Sequence, residues 1–230
     1  MSAPRQAGRR YDARSRQSQA TENRNRVLAV AGRLFVAQGY AATSIEQIAA
    51  EAGLSVRTVF AGFTSKINLL KQVFDIAVVG DSGDTPLHQR PAMRAVHDAH
   101  TAEEAYERLA DTYVEVVERV YGIYAVVHGA ADADPDIAEL ERRLDAQRLI
   151  GVGHLATTFA RLLGVTDHAA IAYIRDTLWT LGSPLQYLLL VRQRGWTARQ
   201  YRDWMVYALA AMIPPPGSAH PGTLETTGKS

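Results

Sequence analysis

The sequence predicts an all-α protein in which a small N-terminal domain precedes a larger helical domain. Apolar residues recur every three or four positions through most of the chain, which is the spacing of one face of a helix. Ser, Thr, Gly and Pro, which commonly begin or end helices, separate these stretches. With 230 residues, 47% of them hydrophobic and 21% charged, the chain is large enough to bury a core in both domains.

The composition excludes several classes of protein. The chain has no cysteine, so it has no disulfide framework, zinc-thiolate site or cysteine nucleophile. The longest apolar run, Trp204 to Ile213, is too short to span a bilayer, and the N-terminus has no apolar signal segment. From these observations we expect a cytoplasmic protein.

Charge is distributed unevenly along the chain. Residues 1–75 contain 11 Lys or Arg and 5 Asp or Glu, whereas residues 76–230 contain 14 and 19, so the two parts carry +6 and −5. A basic N-terminal third is typical of a module that binds phosphates, and the acidic remainder indicates a different role.

Four helices are predicted in the N-terminal third. The first covers Glu22 to Gln38, with Thr21 as its N-cap and Gly39 at its end. Either Thr43 or Ser44 can cap the second helix. The third covers Val56 to Phe60, and a fourth begins at Thr64 or Ser65. The first helix should bury one apolar face, formed by Val27, Ala31, Leu34 and Phe35.

The stretch from Thr43 to Leu70 has the spacing of a helix-turn-helix. Its second helix places Ile45, Ile48, Ala49 and Ala52 on one face, Gly53 breaks the helix, and Ser55 caps the next one. Two helices joined by so tight a turn must cross steeply, and in DNA-binding proteins this crossing lets the second helix enter the major groove.

Over about 45 residues the chain resembles the TetR family of transcriptional regulators. The resemblance implies a three-helix DNA-binding domain and a larger helical domain for effector binding and dimerisation. Repression, with an inverted-repeat operator bound by a homodimer, is the implied function; activation is the alternative. The matching positions are Leu34-Phe35, Gly39-Tyr40, Thr43-Ser44, Ile48-Ala49, Ala52-Gly53-Leu54-Ser55, Phe63, Lys66 and Leu69-Leu70.

The candidate DNA contacts lie on and around the third helix. Arg57 is the first choice for reading a base, since arginine can pair bidentately with guanine; the alternative is a phosphate contact. The resemblance implies phosphate contacts by Thr43, Thr58 and Lys66, although each could instead cap or solvate its helix. The segment departs from the family pattern at Phe60-Ala61-Gly62, which offers no side-chain donor and suggests that Phe60 contacts a thymine methyl or a sugar. The complete predicted set is Thr43, Ser55, Val56, Arg57, Thr58, Phe60 and Lys66.

The pattern predicts further helices after a turn-rich connection at residues 80–91. A short helix near Met93 to Ala99 is followed by a long amphipathic one that ends at the acidic stretch around Pro135. Thr166 is expected to cap a later helix, which Pro184 should kink, and Thr197 to cap the last helix after Gly195. The resemblance implies that the last two helices, at about residues 167–213, form the dimer interface.

Aromatic and polar residues of these central helices are candidates for an effector pocket. They would suit an apolar or aromatic ligand with one or two hydrogen-bonding groups. For any single residue, ordinary core packing is the alternative. The candidates are Tyr113, Tyr121, Tyr124, His128, Phe159, Trp179 and Tyr187.

No constellation of residues indicates an enzyme, a cofactor site or a metal site. His97 and His100 could share a helix face, but no third ligand lies near them in sequence, so we expect solvated surface histidines. A helical small-molecule carrier without regulatory DNA binding is the remaining alternative function.

The domain boundaries follow from these assignments. Residues 1–20 form a basic arm that we expect to be disordered; it either tracks DNA phosphates or is a soluble tail. Residues 21–75 form the DNA-binding domain and residues 76–213 the effector-binding and dimerisation domain. Residues 214–230, which begin with three prolines, are expected to be a disordered tail.

Overall fold

A computed structural model describes residues 5–81, 83 and 85–213, with side chains from residue 17 onward; the predicted tail at residues 214–230 lies outside this range. The described chain is helical and contains no strand, which confirms the all-α prediction. Within it, no helix combines the length and hydropathy that a bilayer span requires. The helices are α1 (Arg5–Ala42), α2 (Ile45–Ala52), α3 (Val56–Phe63), α4 (Lys66–Val79), α5 (Pro91–His97), α6 (Ala102–Ala131), α7 (Pro135–Leu163), α8 (His168–Leu181), α9 (Pro184–Tyr187) and α10 (Ala198–Met212).

Two short segments complete the helical chain. A 3-10 helix, Leu87–Gln89, precedes α5, and a π-helical turn, Leu188–Gln193, follows α9.

The described residues group into two compact units. The first unit contains those of Met1–Ala77 together with Gly122–Leu140, and the second contains those of Val78–Tyr121 and Glu141–Ser230. Long helices α6 and α7 therefore each contribute residues to both units. Residues 122–140 were predicted to lie in the second domain, because helical periodicity shows that a face is apolar without showing what that face packs against.

The core of the first unit uses the predicted apolar faces. All four residues predicted for α1 are buried, as are the four apolar positions of α2. From α3, Val59 and Phe63 enter this core, where they are 1% and 2% exposed. Gly122 of α6 packs beside Val36 of α1, since a Cβ at this glycine would lie 3.4 Å from the valine methyl groups.

Helix α1 begins earlier than the sequence analysis predicted. Thr21 is not an N-cap; it lies inside the helix, and its hydroxyl donates to the backbone oxygen of Gln17 at 3.0 Å. Residues 5–20, predicted as an irregular arm, therefore form the first turns of α1. Arg, Gln and Ala are good helix formers, so a capping residue within such a run does not stop helix propagation. The predicted end is confirmed, because Gly39 leaves the helical region with φ of 82°.

The helix caps of the first unit resolve the choices that the sequence left open. Ser44, rather than Thr43, caps α2 by accepting from the backbone N–H of Gln47 at 3.1 Å. Gly53 ends α2 in the left-handed region at φ 67°. Ser65 accepts from the N–H of Asn68 at 3.2 Å at the start of α4.

The second unit has a larger core with an aromatic centre. Tyr106 of α6 stacks on Phe159 of α7 with ring centroids 5.2 Å apart. Its hydroxyl donates to the backbone oxygen of Ile213 at 2.6 Å, which ties the end of α10 to α6. On the outside of the same contact, the guanidinium of Arg202 pairs with Glu107 and Asp111 of α6.

Three boundaries in the second unit differ from the predictions. Asp167, not Thr166, caps α8, because its carboxylate accepts from the N–H of Ala170 at 2.8 Å. Pro184 does not kink a continuous helix: α8 ends at Leu181, and Ser183 caps a new helix with proline in its first position. Helix α5 covers Pro91–His97 rather than Met93 to Ala99. The cap at Thr197 is confirmed as a capping box with Gln200.

Candidate DNA interface and effector region

Helix α3 has one buried and one exposed face. Val59 and Phe63 hold it in the core of the first unit, whereas Arg57 and Thr58 are exposed and Phe60 is 45% exposed. The helix is three residues longer than predicted, and this extra turn contains the anchoring Phe63. Two polar side chains and one aromatic ring are therefore presented on a rigid helix, as recognition of a macromolecular surface requires.

The N-terminus of α3 is fixed by a local hydrogen-bond pair. Ser55 accepts from the N–H of Thr58 at 3.1 Å, and the two hydroxyl oxygens are 2.8 Å apart. Val56, between Ser55 and Arg57, is half-buried. Arg57 has no hydrogen-bond or ion-pair partner among the described residues, so its guanidinium is available to a ligand.

The C-terminus of α3 has a feature that the sequence analysis missed. Thr64 adopts φ 58° and ψ −40°. Among the described residues, it is the only one other than glycine that has a positive φ. Its hydroxyl donates to the backbone oxygen of Phe63 at 2.7 Å. A threonine at positive φ is strained, and such strain persists only where the surroundings fix the backbone.

Lys66 is engaged within the first unit. Its Nζ donates to the backbone oxygens of Tyr40 and Thr43, both at 2.9 Å, and lies 4.0 Å from the centroid of the Tyr40 ring. Burial lowers the pKa of the Lys66 ammonium, and the carboxylate of Asp134 acts in the opposite direction. Because an ammonium has three N–H donors, one remains for a phosphate.

Thr43 is not available as a side-chain contact to DNA. It is 1% exposed, and its hydroxyl donates to the backbone oxygen of Gly39 at 2.8 Å. This geometry corrects the predicted phosphate contact and favours the alternative structural role, since the hydroxyl closes the turn between α1 and α2.

Arg24 is a candidate DNA contact that was not predicted from the sequence. It lies on α1, is exposed, and places its guanidinium 5.2 Å from the centroid of the Phe63 ring. This cation–π contact brings a positive charge to the end of α3. The sequence shows an arginine-rich segment here, but only the fold shows which arginine reaches the recognition helix.

The residues predicted for the effector pocket are divided between the units. Tyr124 and His128 belong to the first unit, where their rings stack at 5.7 Å and His128 is exposed. Phe159 in the second unit is fully buried against Tyr106. It therefore packs in the core, which was the alternative to a position in the effector pocket. The remaining four all lie in the second unit: Tyr113, Tyr121, Trp179 and Tyr187.

Two of those four residues, Tyr121 and Tyr187, take part in an aromatic cluster that extends beyond the predicted set. Tyr187 packs on Tyr121 with centroids 5.4 Å apart and on Tyr201 of α10 at 5.2 Å. Tyr201 in turn packs on Trp204 at 5.7 Å. Burial raises the pKa of the Tyr201 hydroxyl, and it raises that of Tyr113 to about 12. Both hydroxyls therefore remain protonated donors at neutral pH.

His97 differs from the solvated surface histidine that we expected. It is half-buried, and its Nδ1 lies 2.7 Å from the hydroxyl oxygen of Thr158 on α7. Burial is the main cause of its lowered pKa, followed by the nearby His154. His100 is exposed, as predicted. Among the described residues, no group of three carboxylates or histidines is arranged to hold a metal ion.

Comparison with known proteins assigns the first unit to a family. Residues 27–73, which contain the C-terminal part of α1, all of α2 and α3 and the first part of α4, match the model for bacterial regulatory proteins of the tetR family. This part of the chain is a TetR-family N-terminal domain. No curated protein sequence matches the chain significantly.

Solved structures share the fold of this chain at low sequence identity. A TetR-family regulator from Rhodococcus sp. is 14% identical, with a TM-score of 0.59 over 84% of this chain and 100% of that one. A regulator from Saccharomonospora viridis in complex with choline is 21% identical, with a TM-score of 0.57 over 80% and 94%. NalD from Pseudomonas aeruginosa, the secondary repressor of a multidrug efflux pump, is 19% identical, with a TM-score of 0.57 over 84% and 96%.

Family membership fixes the class of function. TetR-family proteins are DNA-binding transcriptional regulators and not enzymes, and the chain is a regulator of this class.

Proposed function

We propose that the chain is a ligand-responsive repressor that binds an inverted-repeat operator as a homodimer. The observation that carries the proposal is the division of α3 into buried anchors, Val59 and Phe63, and an exposed face with Arg57, Thr58 and Phe60. We assign DNA binding to residues 21–75, and effector binding and dimerisation to residues 76–213. NalD, which shares the fold, is itself described as a repressor.

In this proposal Arg57 reads a base and its neighbours position α3. An arginine that pairs bidentately with guanine contributes roughly 1–3 kcal/mol of discrimination between bases. Thr58 and the remaining N–H of Lys66 contact phosphates, Phe60 contacts a thymine methyl or sugar, and Arg24 adds a phosphate contact at the end of α3. Ser55 and Val56 support DNA binding because they form the N-terminus of the helix, and they do not contact bases themselves.

The operator contacts are tested after selection of a high-affinity site from random duplexes. Arg57→Ala should weaken binding to the selected site about tenfold or more while leaving binding to random DNA nearly unchanged, because base contacts specify and phosphate contacts do not. Arg94→Ala, at an exposed position on α5 in the second unit and outside the proposed dimer interface, is the control. An equal loss on both duplexes would establish a phosphate role for Arg57.

Dimerisation follows from the operator geometry and has a candidate surface. Two recognition helices related by a two-fold axis need half-sites about one turn, roughly 34 Å, apart. Residues 167–213 carry exposed apolar side chains, among them Tyr207 at 74% and Leu189 at 41% exposed. Tyr207→Glu should shift the protein towards monomer in sedimentation velocity experiments. A wild-type chain that is monomeric at micromolar concentration would contradict the proposal.

The regulatory step is a shift between conformers. An effector bound in the second unit favours a conformer whose recognition helices no longer match the half-site spacing, and it must bind that conformer more tightly. The structural neighbour in complex with choline shows that a regulator of this fold can hold a small molecule. Transcription in vitro from a promoter that contains the operator distinguishes repression from activation.

A further inference from the structure

Arg148 and Trp179 form a stacked pair between α7 and α8 in the second unit. The guanidinium carbon lies 4.3 Å from the centroid of the indole ring. Nη1 of the same arginine donates to the backbone oxygen of Trp179, which fixes the guanidinium against the ring. Each of the two side chains has one further N–H group that does not take part in these contacts.

These two groups are buried N–H donors without a partner. Nε of Arg148 and Nε1 of Trp179 are both shielded from solvent, and neither has a hydrogen-bond acceptor in the described part of the chain. Buried donors are almost always satisfied in folded proteins, so two orphans on one stacked pair indicate that an acceptor is missing.

Tyr113 provides a third donor beside the pair. Its ring end packs onto Gly182, just beyond the end of α8, where a Cβ would lie 2.3 Å from the hydroxyl oxygen. The hydroxyl interacts electrostatically with Arg148 and keeps its proton at neutral pH, since burial raises its pKa to about 12. Gly182 is therefore required for Tyr113 to reach this position.

The charges around Arg148 and Trp179 indicate whether the missing acceptor is anionic or cationic. Arg148 contributes a positive charge, and Asp145, whose carboxylate lies 3.5 Å away on a side chain that is 40% exposed, offsets it only in part. The guanidinium covers one face of the Trp179 ring, and the guanidinium of Arg192 covers one face of the Tyr121 ring. Neither of these faces can then attract another cation. A cationic ligand is thus disfavoured and an anionic acceptor is favoured.

We propose that Arg148 and Trp179, with Tyr113, bind the carboxylate of an organic acid whose apolar body packs on the aromatic cluster of the second unit. Two carboxylate oxygens accept from Nε of Arg148 and Nε1 of Trp179, in the charge-assisted geometry that arginine favours. The proposal rests on the effector role proposed above for this unit and names the chemical class of its ligand. Because both donors are shielded, the acid must displace a neighbouring side chain to enter, which couples its binding to a change in packing.

The test compares four probes on the full-length chain: two organic acids, a neutral amide and an amine. Phenylpropanoate and octanoate, the two acid probes, should bind at millimolar concentration or below in isothermal titration calorimetry, whereas phenylpropanamide and phenylpropylamine should bind at least tenfold more weakly. Equal or tighter binding of the amine, or no binding of either acid at millimolar concentration, overturns the proposal.

Substitutions separate the donors from the packing. Trp179→Phe keeps an aromatic ring and removes the N–H, and Arg148→Met removes the charge; each should weaken binding of the acid roughly 10- to 100-fold, as expected for a hydrogen bond to a charged group. Arg94→Met, at an exposed position on α5, is the charge-matched control and should not change the affinity. Because the Trp179 donor is unpartnered, Trp179→Phe should leave the melting temperature of the unliganded protein nearly unchanged; unchanged acid affinity in this variant contradicts the proposal.

Operator binding by the unliganded protein distinguishes this inference from the proposed function. If the chain binds its selected operator but no acid, only the ligand class is wrong. If it binds the acids through Arg148 and Trp179 but no operator, the carboxylate site stands and the repressor proposal fails.

Discussion

Helix α3 and the α7–α8 contact each contain an arginine and a large aromatic residue, but they present these groups in opposite ways. Arg57 and Phe60 are exposed on a helix that Val59 and Phe63 fix from behind. Arg148 and Trp179 are stacked on each other, and their free donors are shielded from solvent. A duplex can be read only from a surface, whereas a small ligand gains affinity by being enclosed, so the two arrangements suit different kinds of partner.

The sharpest test of this contrast is the pair of phenylalanines on α3. Phe63→Ala removes a ring that is 2% exposed and should lower the free energy of unfolding by about 3–5 kcal/mol, since it leaves a cavity in the first unit. Phe60→Ala should cost less than about 0.5 kcal/mol but weaken operator binding. Urea unfolding followed by circular dichroism, with fluorescence anisotropy for DNA, measures both. Similar losses of stability in the two variants would refute the assignment of faces.

The enclosed arrangement in the second unit is tested at Gly182. Gly182→Ala places a methyl group 2.3 Å from the Tyr113 hydroxyl and should destabilise the protein by about 1–3 kcal/mol through overpacking. Gly153→Ala on α7 is the matched control, because a Cβ there meets no atom within 4 Å. The control should be neutral or stabilising by up to about 1 kcal/mol, because alanine favours a helix interior. Thermal unfolding that ranks the two variants in the reverse order would contradict this packing.

The surface of the second unit should contribute less to the free energy of unfolding than its interior does. Arg202 of α10 pairs with Glu107 and Asp111 of α6, and its side chain is 27% exposed. Arg202→Met should lower the free energy of unfolding by about 1 kcal/mol at low salt and by less at high salt, as partly exposed ion pairs do. Arg199→Met, at a position 90% exposed, should have no measurable effect. A loss that does not depend on salt would assign the role of Arg202 to packing.

The smallest expected effect is a dependence of stability on pH through His97. Its pKa in the folded chain lies below the ordinary value of 6.5, so the unfolded chain binds the proton more readily. Stability should therefore fall as the pH drops below 6.5 towards the lowered pKa, and the loss should be smaller in His97→Asn. His168→Asn, at an exposed position on α8, is the control. Urea unfolding at several pH values measures this; an unchanged pH profile in His97→Asn would exclude His97 as its source.

The sequence predicted the first unit well because its signals are local. Caps, helix breaks and apolar faces between Thr43 and Leu70 depend on neighbours within a few residues, and the buried faces of α1 and α2 confirm them. Thr43 was assigned the wrong environment because its hydroxyl bonds Gly39 across a turn. The start of α1 was misplaced because a residue that can cap a helix can also lie within one.

The second unit was predicted less completely because its contacts are distant in sequence. Arg148 and Trp179 are separated by 31 positions, and Tyr106 bonds Ile213 across 107. Periodicity showed which faces are apolar but not which helices meet, so the aromatic residues were grouped by type. The structure divides that group between two units and adds Arg148, Tyr201 and Trp204, whose contacts are made with residues distant in sequence.

The two-faced character of α3 has a consequence for how such a regulator can diverge. Because Val59 and Phe63 fix the helix in its core and Ser55 and Thr58 fix its N-terminus, the outward positions 57, 60 and 61 can change with little effect on folding. A duplicated gene could thus acquire a new target site through a few substitutions while keeping its inducer. The same separation allows an engineer to exchange these positions between relatives and obtain regulators that respond to one signal at different promoters.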